Sequence, residues 1–358
     1  MANVDLNTLI RDPVRALQPY QVENFDCEIK LHANENAFPP PASLLEGFEK
    51  RLRDLALNRY PDPDCTRLKQ AIARRLNVTP DRLMVGNGSD ELIQILLQIF
   101  CGPGDAVAFP DPTFAMYAII ARGMGLQTVP CPLDDNWDFQ AESFLESIAP
   151  HRPKIVFFSY PNNPTGNCFD AGALQRVLET FQGIVVLDEA YYDFARKSFL
   201  AQAEHHNNLV ILRSLSKIGL AALRVGFGVA DPLIIREVNK IRLPYNSNSV
   251  SQAFSELLLN RFEPVQRQID WIVEERNRLM TALAQIPGIT VFPSDANFLL
   301  FRLDTGSKEV FQNLVDRGIL IRDLGGHPRL KNCLRVTIGT EEENRRFLES
   351  LKAVNAGA

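Results

Sequence analysis

The chain has no excess of positive charge and no apolar stretch long enough to cross a membrane. Its 358 residues carry a formal net charge of −5, so no global basic field attracts nucleic acid or an anionic membrane surface. The apolar segment at residues 92–100 is interrupted by Gln94 and Gln98, whereas a spanning helix needs about 20 apolar residues. The sequence therefore predicts partners other than nucleic acid or membrane.

Cysteine and histidine patterns are equally sparse. The six cysteines are scattered without a C-x-x-C pair, which favours free, mostly buried thiols in a reducing cytoplasm. Residues 1–10 have neither the basic start nor the apolar run of a signal peptide, which also favours a cytoplasmic location. The five histidines have no metal-ligand spacing, so we expect no metal site.

What the sequence does contain is an alternation of short apolar runs and helical patterns from residue 83 to residue 230. Runs that are apolar on both faces and separated by helices predict an α/β fold with a mostly parallel sheet covered on both sides. After residue 231 the pattern predicts a smaller α+β domain. We expect an N-terminal arm and part of the small domain at residues 1–45, a large domain at 46–245, and the C-terminal small domain at 246–358.

Polar residues follow three successive core strands of this pattern. Asn163 lies in a turn after residues 155–159, Asp188 ends the next run, and Lys217 follows residues 209–212. Ligands of open parallel sheets bind outside the carboxyl ends of the strands. An aspartate after an apolar strand needs a cationic partner, and an amine in a cleft can form a Schiff base. Taken singly, each is more often structural, as a turn residue, a helix cap or a solvated lysine.

A glycine-rich turn, Gly86-Asn87-Gly88-Ser89-Asp90, leads into a helix upstream of these residues. Such a turn offers free N–H groups to a phosphate, although Ser89 or Asp90 could equally be an ordinary N-cap. It is not the G-x-G-x-x-G fingerprint, so a nicotinamide dehydrogenase is disfavoured. Together, the amine, the carboxylate, the amide and the phosphate turn match what pyridoxal 5'-phosphate needs.

Several motifs make this match specific. The chain resembles the fold-type I aminotransferases in Asn163-Pro164-Thr165-Gly166, Asp188-x-x-Tyr191 and Ser214-x-Ser216-Lys217 followed by Arg224. Within them it resembles the histidinol-phosphate aminotransferases over about residues 20–340. That likeness is carried by Leu31-x-x-Asn34-Glu35-Asn36, Asn58-Arg59-Tyr60-Pro61-Asp62, Gly86-x-Gly88-Ser89-Asp90-Glu91 and Leu334-Arg335-x-x-x-Gly339-Thr340.

The resemblance implies a role for each matching residue around the cofactor ring. Lys217 would hold the cofactor covalently and then move a proton between the substrate and the cofactor. Asp188 would keep the ring nitrogen protonated, and Asn163 and Tyr191 would donate hydrogen bonds to the 3'-oxygen. Phe114 would stack on the ring.

The resemblance also implies contacts for the phosphate and the substrate. The cofactor phosphate would be surrounded by Ser89, Asp90, Ser214 and Arg224. Tyr60 would reach it from a neighbouring subunit, which implies a homodimer with shared sites. The substrate anion would be held by Tyr20, Arg322 and Arg335, because a guanidinium pair suits a phosphate dianion.

One departure concerns the step from Lys217 to Arg224, which is seven positions long where many relatives have eight. Either the turn is tighter, with Gly219 absorbing the difference, or Arg224 is slightly displaced. The Ala37 position, where many relatives have proline, should have little effect.

The implied reaction moves the amino group of L-histidinol phosphate to 2-oxoglutarate, giving imidazole acetol phosphate and L-glutamate, in histidine biosynthesis. The alternatives within the same fold are a threonine-phosphate decarboxylase and an aromatic or broad-range aminotransferase. A non-catalytic cofactor-binding regulator is disfavoured because the chain has no spare length or basic helix for a DNA-binding module.

Overall fold

The computed structural model describes residues 4–19, 25–304 and 306–355. The strands are β1 Ile29–Lys30, β2 Leu83–Asn87, β3 Ala106–Asp111, β4 Gln127–Pro132, β5 Ile155–Ser159, β6 Ile184–Asp188, β7 Leu209–Ser214, β8 Val225–Val229, β9 Ile289–Val291, β10 Phe298–Leu303, β11 Ile319–Leu320, β12 Arg322–Asp323 and β13 Cys333–Thr337. The helices are α1 Asp12–Arg15, α2 Ala42–Leu52, α3 Thr66–Leu76, α4 Ser89–Phe100, α5 Met116–Met124, α6 Ala141–Ile148, α7 Ala171–Thr180, α8 Tyr192–Ala195, α9 Pro232–Ile241, α10 Ser249–Asn260, α11 Glu263–Ala284, α12 Ser307–Asp316 and α13 Glu341–Asn355.

The large domain is built on a mostly parallel sheet. Within the described ranges this sheet has seven strands in the order β2-β8-β7-β6-β5-β3-β4. Strands β7, β6, β5, β3 and β4 run parallel, and β8 pairs antiparallel with both of its neighbours. The register sets Ser159 opposite Asp188, and Asp188 opposite Leu212. The carboxyl ends of β5, β6 and β7 therefore meet at one edge.

The central strands β5, β6 and β7 are apolar up to their last one or two residues because both faces of the sheet are covered. In β5, Phe157 packs into the core on one face, while Val156 and Phe158 pack into the core on the other. All five residues of β5 are buried. A strand that is buried on both sides cannot alternate polar and apolar residues, which is why the sequence showed continuous apolar runs here.

The C-terminal part forms a second sheet in the order β12-β13-β10-β9, all antiparallel. The segment after β1 joins this part, because Leu31 donates to the Leu320 carbonyl at 2.7 Å and accepts from the Thr337 amide at 2.9 Å. Helix α10 packs against α2 and α3. The domain boundaries at residues 45 and 245 stay predictions. Across the described ranges, every helix is too short or too polar to span a bilayer.

Candidate active site

A cavity of about 370 Å³ opens at the carboxyl edge of the large sheet, between that edge and β12 and β13. It brings together most of the side chains proposed from the sequence. Those that line it are Ser89, Asp90, Phe114, Asn163, Asp188, Tyr191, Ser214, Lys217, Arg224, Arg322 and Arg335. Asn163, Asp188 and Lys217 meet here because parallel strands deliver their carboxyl ends to one edge. Arg322 and Arg335 instead come from the antiparallel sheet of the C-terminal part.

Asp188 is a buried carboxylate at the end of β6. Its side chain accepts hydrogen bonds from the Tyr117 hydroxyl at 2.9 Å and from the Ala190 amide at 3.2 Å. Burial raises the pKa of Asp188 from its ordinary 3.8 to about 6, and the Tyr117 hydrogen bond opposes this rise. A carboxylate in such a position is satisfied as an anion only when a cation sits beside it, and a protonated ring nitrogen would be one.

Lys217 lies directly after β7, in a short 3-10 turn at Ser216–Ile218. Its Nζ donates to the Ala33 carbonyl at 3.3 Å and lies 5.7 Å from the centre of the Tyr191 ring. The amine is partly buried and faces the same cavity as Asp188. It can therefore reach a carbonyl group bound above the sheet edge.

The N-terminus of α4 lies at the cavity through Ser89 and Asp90, which the sequence predicts as phosphate contacts. Its N-cap is Gly88, with φ 83°, and no side chain caps the helix there, so the first-turn N–H groups are open to an anion. A Cβ at Gly88 would lie 2.6 Å from a terminal nitrogen of Arg224, and one at Gly226 would lie 2.3 Å from the Ser89 amide. The glycines let Arg224 and the helix end approach each other.

The shorter step from Lys217 to Arg224 is accommodated by two left-handed residues. Gly219 has φ 108° and Arg224 has φ 52°. The Arg224 guanidinium remains at the cavity, donating to the Ser216 hydroxyl and to Asp90, each at 3.3 Å. The tighter-turn alternative is the one this geometry favours.

Arg322 and Arg335 are cross-strand partners on β12 and β13, and both line the cavity. Arg335 is 8 % exposed; it donates to the Asn163 side chain and, at 2.8 Å, to the His32 carbonyl. Burial lowers the pKa of His32, and both arginines act in the same direction. The pair forms a cationic patch, beside a neutral imidazole, that can bind a phosphate or carboxylate.

These residues fit pyridoxal 5'-phosphate. The buried carboxylate, the amine, the uncapped helix end with Arg224, and the flat Phe114 ring correspond to the ring nitrogen, the aldehyde, the phosphate and the ring face. Phe114 meets Tyr117 edge-on, with ring centres 5.5 Å apart, and this contact fixes its orientation at the cavity wall. The roles of the individual side chains stay predictions.

One predicted contact, Tyr60, does not line this cavity. Tyr60 is 81 % exposed and stacks on Tyr245, with ring centres 4.5 Å apart. A contact of Tyr60 with the phosphate of a neighbouring subunit stays a prediction. Tyr20 lies outside the described residues.

The sequence interpretation did not identify Tyr117 and Asn34 as partners of the candidate site residues. The Tyr117 hydroxyl bonds Asp188, and the Asn34 amide donates to the Tyr191 hydroxyl at 2.9 Å. Tyr117 lies within the helical patterns between residues 83 and 230, where a single aromatic residue indicates packing. Asn34 lay in a quoted motif, but nothing in the motif points to a partner 157 positions away.

Comparison with known proteins agrees with this site. The profile of the family "Aminotransferase class I and II" matches residues 27–351. The chain is 43 % identical to a histidinol-phosphate aminotransferase 2 of Nitrosococcus oceani, covering 96 % of both chains. It is 39 % identical to a histidinol-phosphate aminotransferase 1 of Ralstonia nicotianae, covering 97 % of this chain and 95 % of that one.

A solved structure extends the match to the fold. The crystal structure of the histidinol-phosphate aminotransferase of Sinorhizobium meliloti, in complex with pyridoxal-5'-phosphate, superposes with a TM-score of 0.84 at 26 % identity. The superposition covers 93 % of this chain and 92 % of that one. The family, fold and enzyme class predicted from the sequence are therefore confirmed: the chain belongs to the class I and II aminotransferases.

Proposed function

We propose that this enzyme transfers the amino group of L-histidinol phosphate to 2-oxoglutarate with pyridoxal 5'-phosphate as cofactor, in histidine biosynthesis. The observation that carries the proposal is the similarity to a relative named histidinol-phosphate aminotransferase 2, to which the chain is 43 % identical with 96 % of each chain covered. The paired arginines support it, because both the phosphorylated amine and the dicarboxylate need an anion site beside the reactive amine.

When bound, pyridoxal 5'-phosphate supplies a carbonyl that links to amines and a ring that withdraws electrons from the substrate's α carbon. Lys217 Nζ would anchor the group until the substrate's amine takes its place, and the freed Lys217 amine would then remove the α proton. Asp188 keeps a proton on the ring nitrogen, and the Tyr117 hydroxyl holds the Asp188 carboxylate in place at 2.9 Å. Burial raises the pKa of Tyr117, so it retains the proton that it donates.

The remaining residues orient the reactants. Asn163 and Tyr191 hold the 3'-oxygen, while Arg224 and the N-terminus of α4 hold the phosphate. Arg322 and Arg335 bind the anion of the amino donor and later that of the acceptor, since two substrates must use one site in turn. Positioning of this kind keeps the α carbon within reach of Lys217.

A half-reaction tests the substrate. The purified protein should absorb in the visible through its lysine-linked cofactor, and L-histidinol phosphate should remove that absorbance in a single turnover. Parallel samples receive L-threonine phosphate, with carbon dioxide collected, and L-phenylalanine. Faster release of carbon dioxide than of the keto product would identify a decarboxylase, and a clear preference for phenylalanine would identify an aromatic aminotransferase.

We also propose a homodimer with shared sites. Tyr60 is exposed at 81 %. Leu57, close to Tyr60 in sequence, and Leu243, close in sequence to its stacking partner Tyr245, are exposed at 69 % and 70 %, which suits a surface covered by a second copy. Mixing Lys217→Ala with Tyr60→Ala protein after partial unfolding should restore about a quarter of full activity, because random C2 hybrids contain one intact site of two. If light scattering finds only monomers, or if mixing restores nothing, separate sites are indicated.

A cytoplasmic location is part of the proposal. It is supported by the cysteines, which are all free in this structure and mostly buried, as expected in a reducing compartment. Cell fractionation with an antibody to the protein tests it.

A further inference from the structure

Asn34 is a buried residue that reaches from the N-terminal segment to the large domain. It is 1 % exposed and has φ 56°, a left-handed conformation in which asparagine is enriched. Its Nδ2 lies 2.9 Å from the Tyr191 hydroxyl oxygen. Asn34, which also lines the cavity, thus contacts a side chain proposed to hold the cofactor.

Thr337 determines which end of the Asn34 amide faces Tyr191. The backbone N–H of Asn34 donates to Thr337 Oγ1 at 3.0 Å, and the Thr337 hydroxyl donates to Asn34 Oδ1 at 3.3 Å. Because the amide oxygen is fixed on Thr337, the amide nitrogen faces Tyr191 and donates to its oxygen. The phenolic proton of Tyr191 must then point elsewhere, and Tyr191 lines the cavity.

The same segment touches other groups of the site. The Ala33 carbonyl accepts from Lys217 Nζ at 3.3 Å, and the His32 carbonyl accepts from Arg335 at 2.8 Å. Arg335 and Thr337 lie two positions apart on β13 and share one face of that strand. Residues 32–34 therefore connect the strand that carries the anion site with both Lys217 and Tyr191.

We propose that Asn34 is a positioning residue, which orients the Tyr191 hydroxyl so that its proton is donated to the 3'-oxygen of the cofactor. The proposal rests on the proposed function. A hydrogen bond received by a hydroxyl oxygen strengthens the bond that the hydroxyl donates. Donation to the 3'-oxygen favours its anionic form, so Asn34 should lower the pH at which the absorption of the lysine-linked cofactor changes.

Two variants distinguish the effect of losing the Asn34 hydrogen-bond donor from the effect of losing the volume of its side chain. Asn34→Asp has nearly the same size but offers an acceptor to Tyr191, so the phenolic proton turns away from the cofactor. Asn34→Gly removes the side chain and keeps the left-handed backbone accessible. The pH at which the absorption of the lysine-linked cofactor is half changed is called the spectroscopic midpoint. We expect this midpoint to rise by about half a pH unit or more in Asn34→Asp, and by less in Asn34→Gly.

The Tyr191→Phe background identifies the route of the effect. If Asn34 acts through the Tyr191 hydroxyl, Asn34→Asp should add no further shift once that hydroxyl is absent, as in a double-mutant cycle. A direct effect of the new charge would persist in that background and would overturn the proposal. An unchanged midpoint in both Asn34→Asp and Asn34→Gly would overturn it as well.

Thr337 supplies the matched control pair. Thr337→Ser keeps the hydroxyl that orients the amide and should leave the midpoint in place, whereas Thr337→Val removes it and should raise the midpoint. The reverse pattern would contradict the assigned orientation. A failure of the proposed function would look different from a failure of the Asn34 proposal. In the first case the unmodified protein itself would lack the cofactor absorbance, or L-histidinol phosphate would not remove that absorbance.

Discussion

Replacing Asp188 with asparagine should change how the stability of the cofactor-free protein depends on pH. Burial raises the pKa of Asp188 from 3.8 to about 6, so the folded chain holds this proton more tightly than the unfolded chain does. The folded state therefore loses stability as pH rises from about 4 to about 6, and the loss is complete above that range. Asparagine cannot ionise and should abolish this contribution.

The size of the effect follows from the two pKa values. A rise from 3.8 to about 6 corresponds to about 3 kcal/mol of lost stability at high pH, of which about 2 kcal/mol develops between pH 4.5 and pH 8. The new amide nitrogen, facing no acceptor, costs about 1–3 kcal/mol at every pH. From pH 4.5 to pH 8, the free energy of unfolding of the Asp188→Asn protein should therefore rise by about 2 kcal/mol relative to that of the unmodified protein. This relative change does not depend on the absolute stability of the variant.

Urea unfolding of both cofactor-free proteins at pH 4.5 and pH 8 measures this difference. With cofactor bound, the ring-nitrogen proton gives Asp188 a partner, and the relative gain should disappear. In the half-reaction, the same substitution removes one member of a buried pair and should slow conversion about 10²–10³-fold. The reasoning is refuted if the two cofactor-free proteins differ in stability by the same amount at both pH values.

Three further substitutions probe the rest of the site. Lys217→Ala should abolish the visible absorbance of the bound cofactor and lower turnover by about 10³-fold or more, as measured by spectrophotometry; appreciable remaining turnover would exclude its role. Arg335→Lys loses the two-pronged geometry of the guanidinium and should raise KM for both substrates about 10–100-fold with little change in kcat; a selective loss of kcat would place Arg335 elsewhere in the reaction. Gly88→Ala puts a Cβ 2.6 Å from a terminal nitrogen of Arg224, and should weaken cofactor binding about tenfold or more in a fluorescence titration; unchanged binding would show that Arg224 does not hold the phosphate.

The sheet and its reactive edge were accessible from the sequence because they follow from local pattern. Strands β5, β6 and β7 are apolar up to their last one or two residues, and a polar residue at or after the end of each strand proved to face one cavity. The rule that parallel strands present their carboxyl ends together turns three separate sequence positions into one site. Composition and spacing alone favoured a structural role for each residue taken singly.

The contacts that support the site were not accessible in the same way. Tyr117 and Asp188 are 71 positions apart, and Asn34 and Thr337 are 303 apart. Such pairs depend on how α5 packs on the sheet and on how the N-terminal segment joins β13, which no periodicity encodes. The sequence also contained no sign that β8 runs antiparallel to its neighbours, because a short apolar run does not indicate the direction of a strand in the sheet.

Burial of Asp188 lowers the stability of the cofactor-free protein and, in the proposed function, strengthens the interaction of Asp188 with the bound cofactor. The burial that raises its pKa also lowers the local dielectric, and charge interactions are stronger where water is excluded. A carboxylate on the surface would impose no penalty on the cofactor-free chain, but its attraction for a ring-nitrogen proton would be screened. Burial of Asp188 behind Tyr117 thus converts a destabilising group into a strong partner for one proton. It follows that the lost stability and the proposed role of Asp188 have a single physical cause, so a substitution that relieves the first should weaken the second.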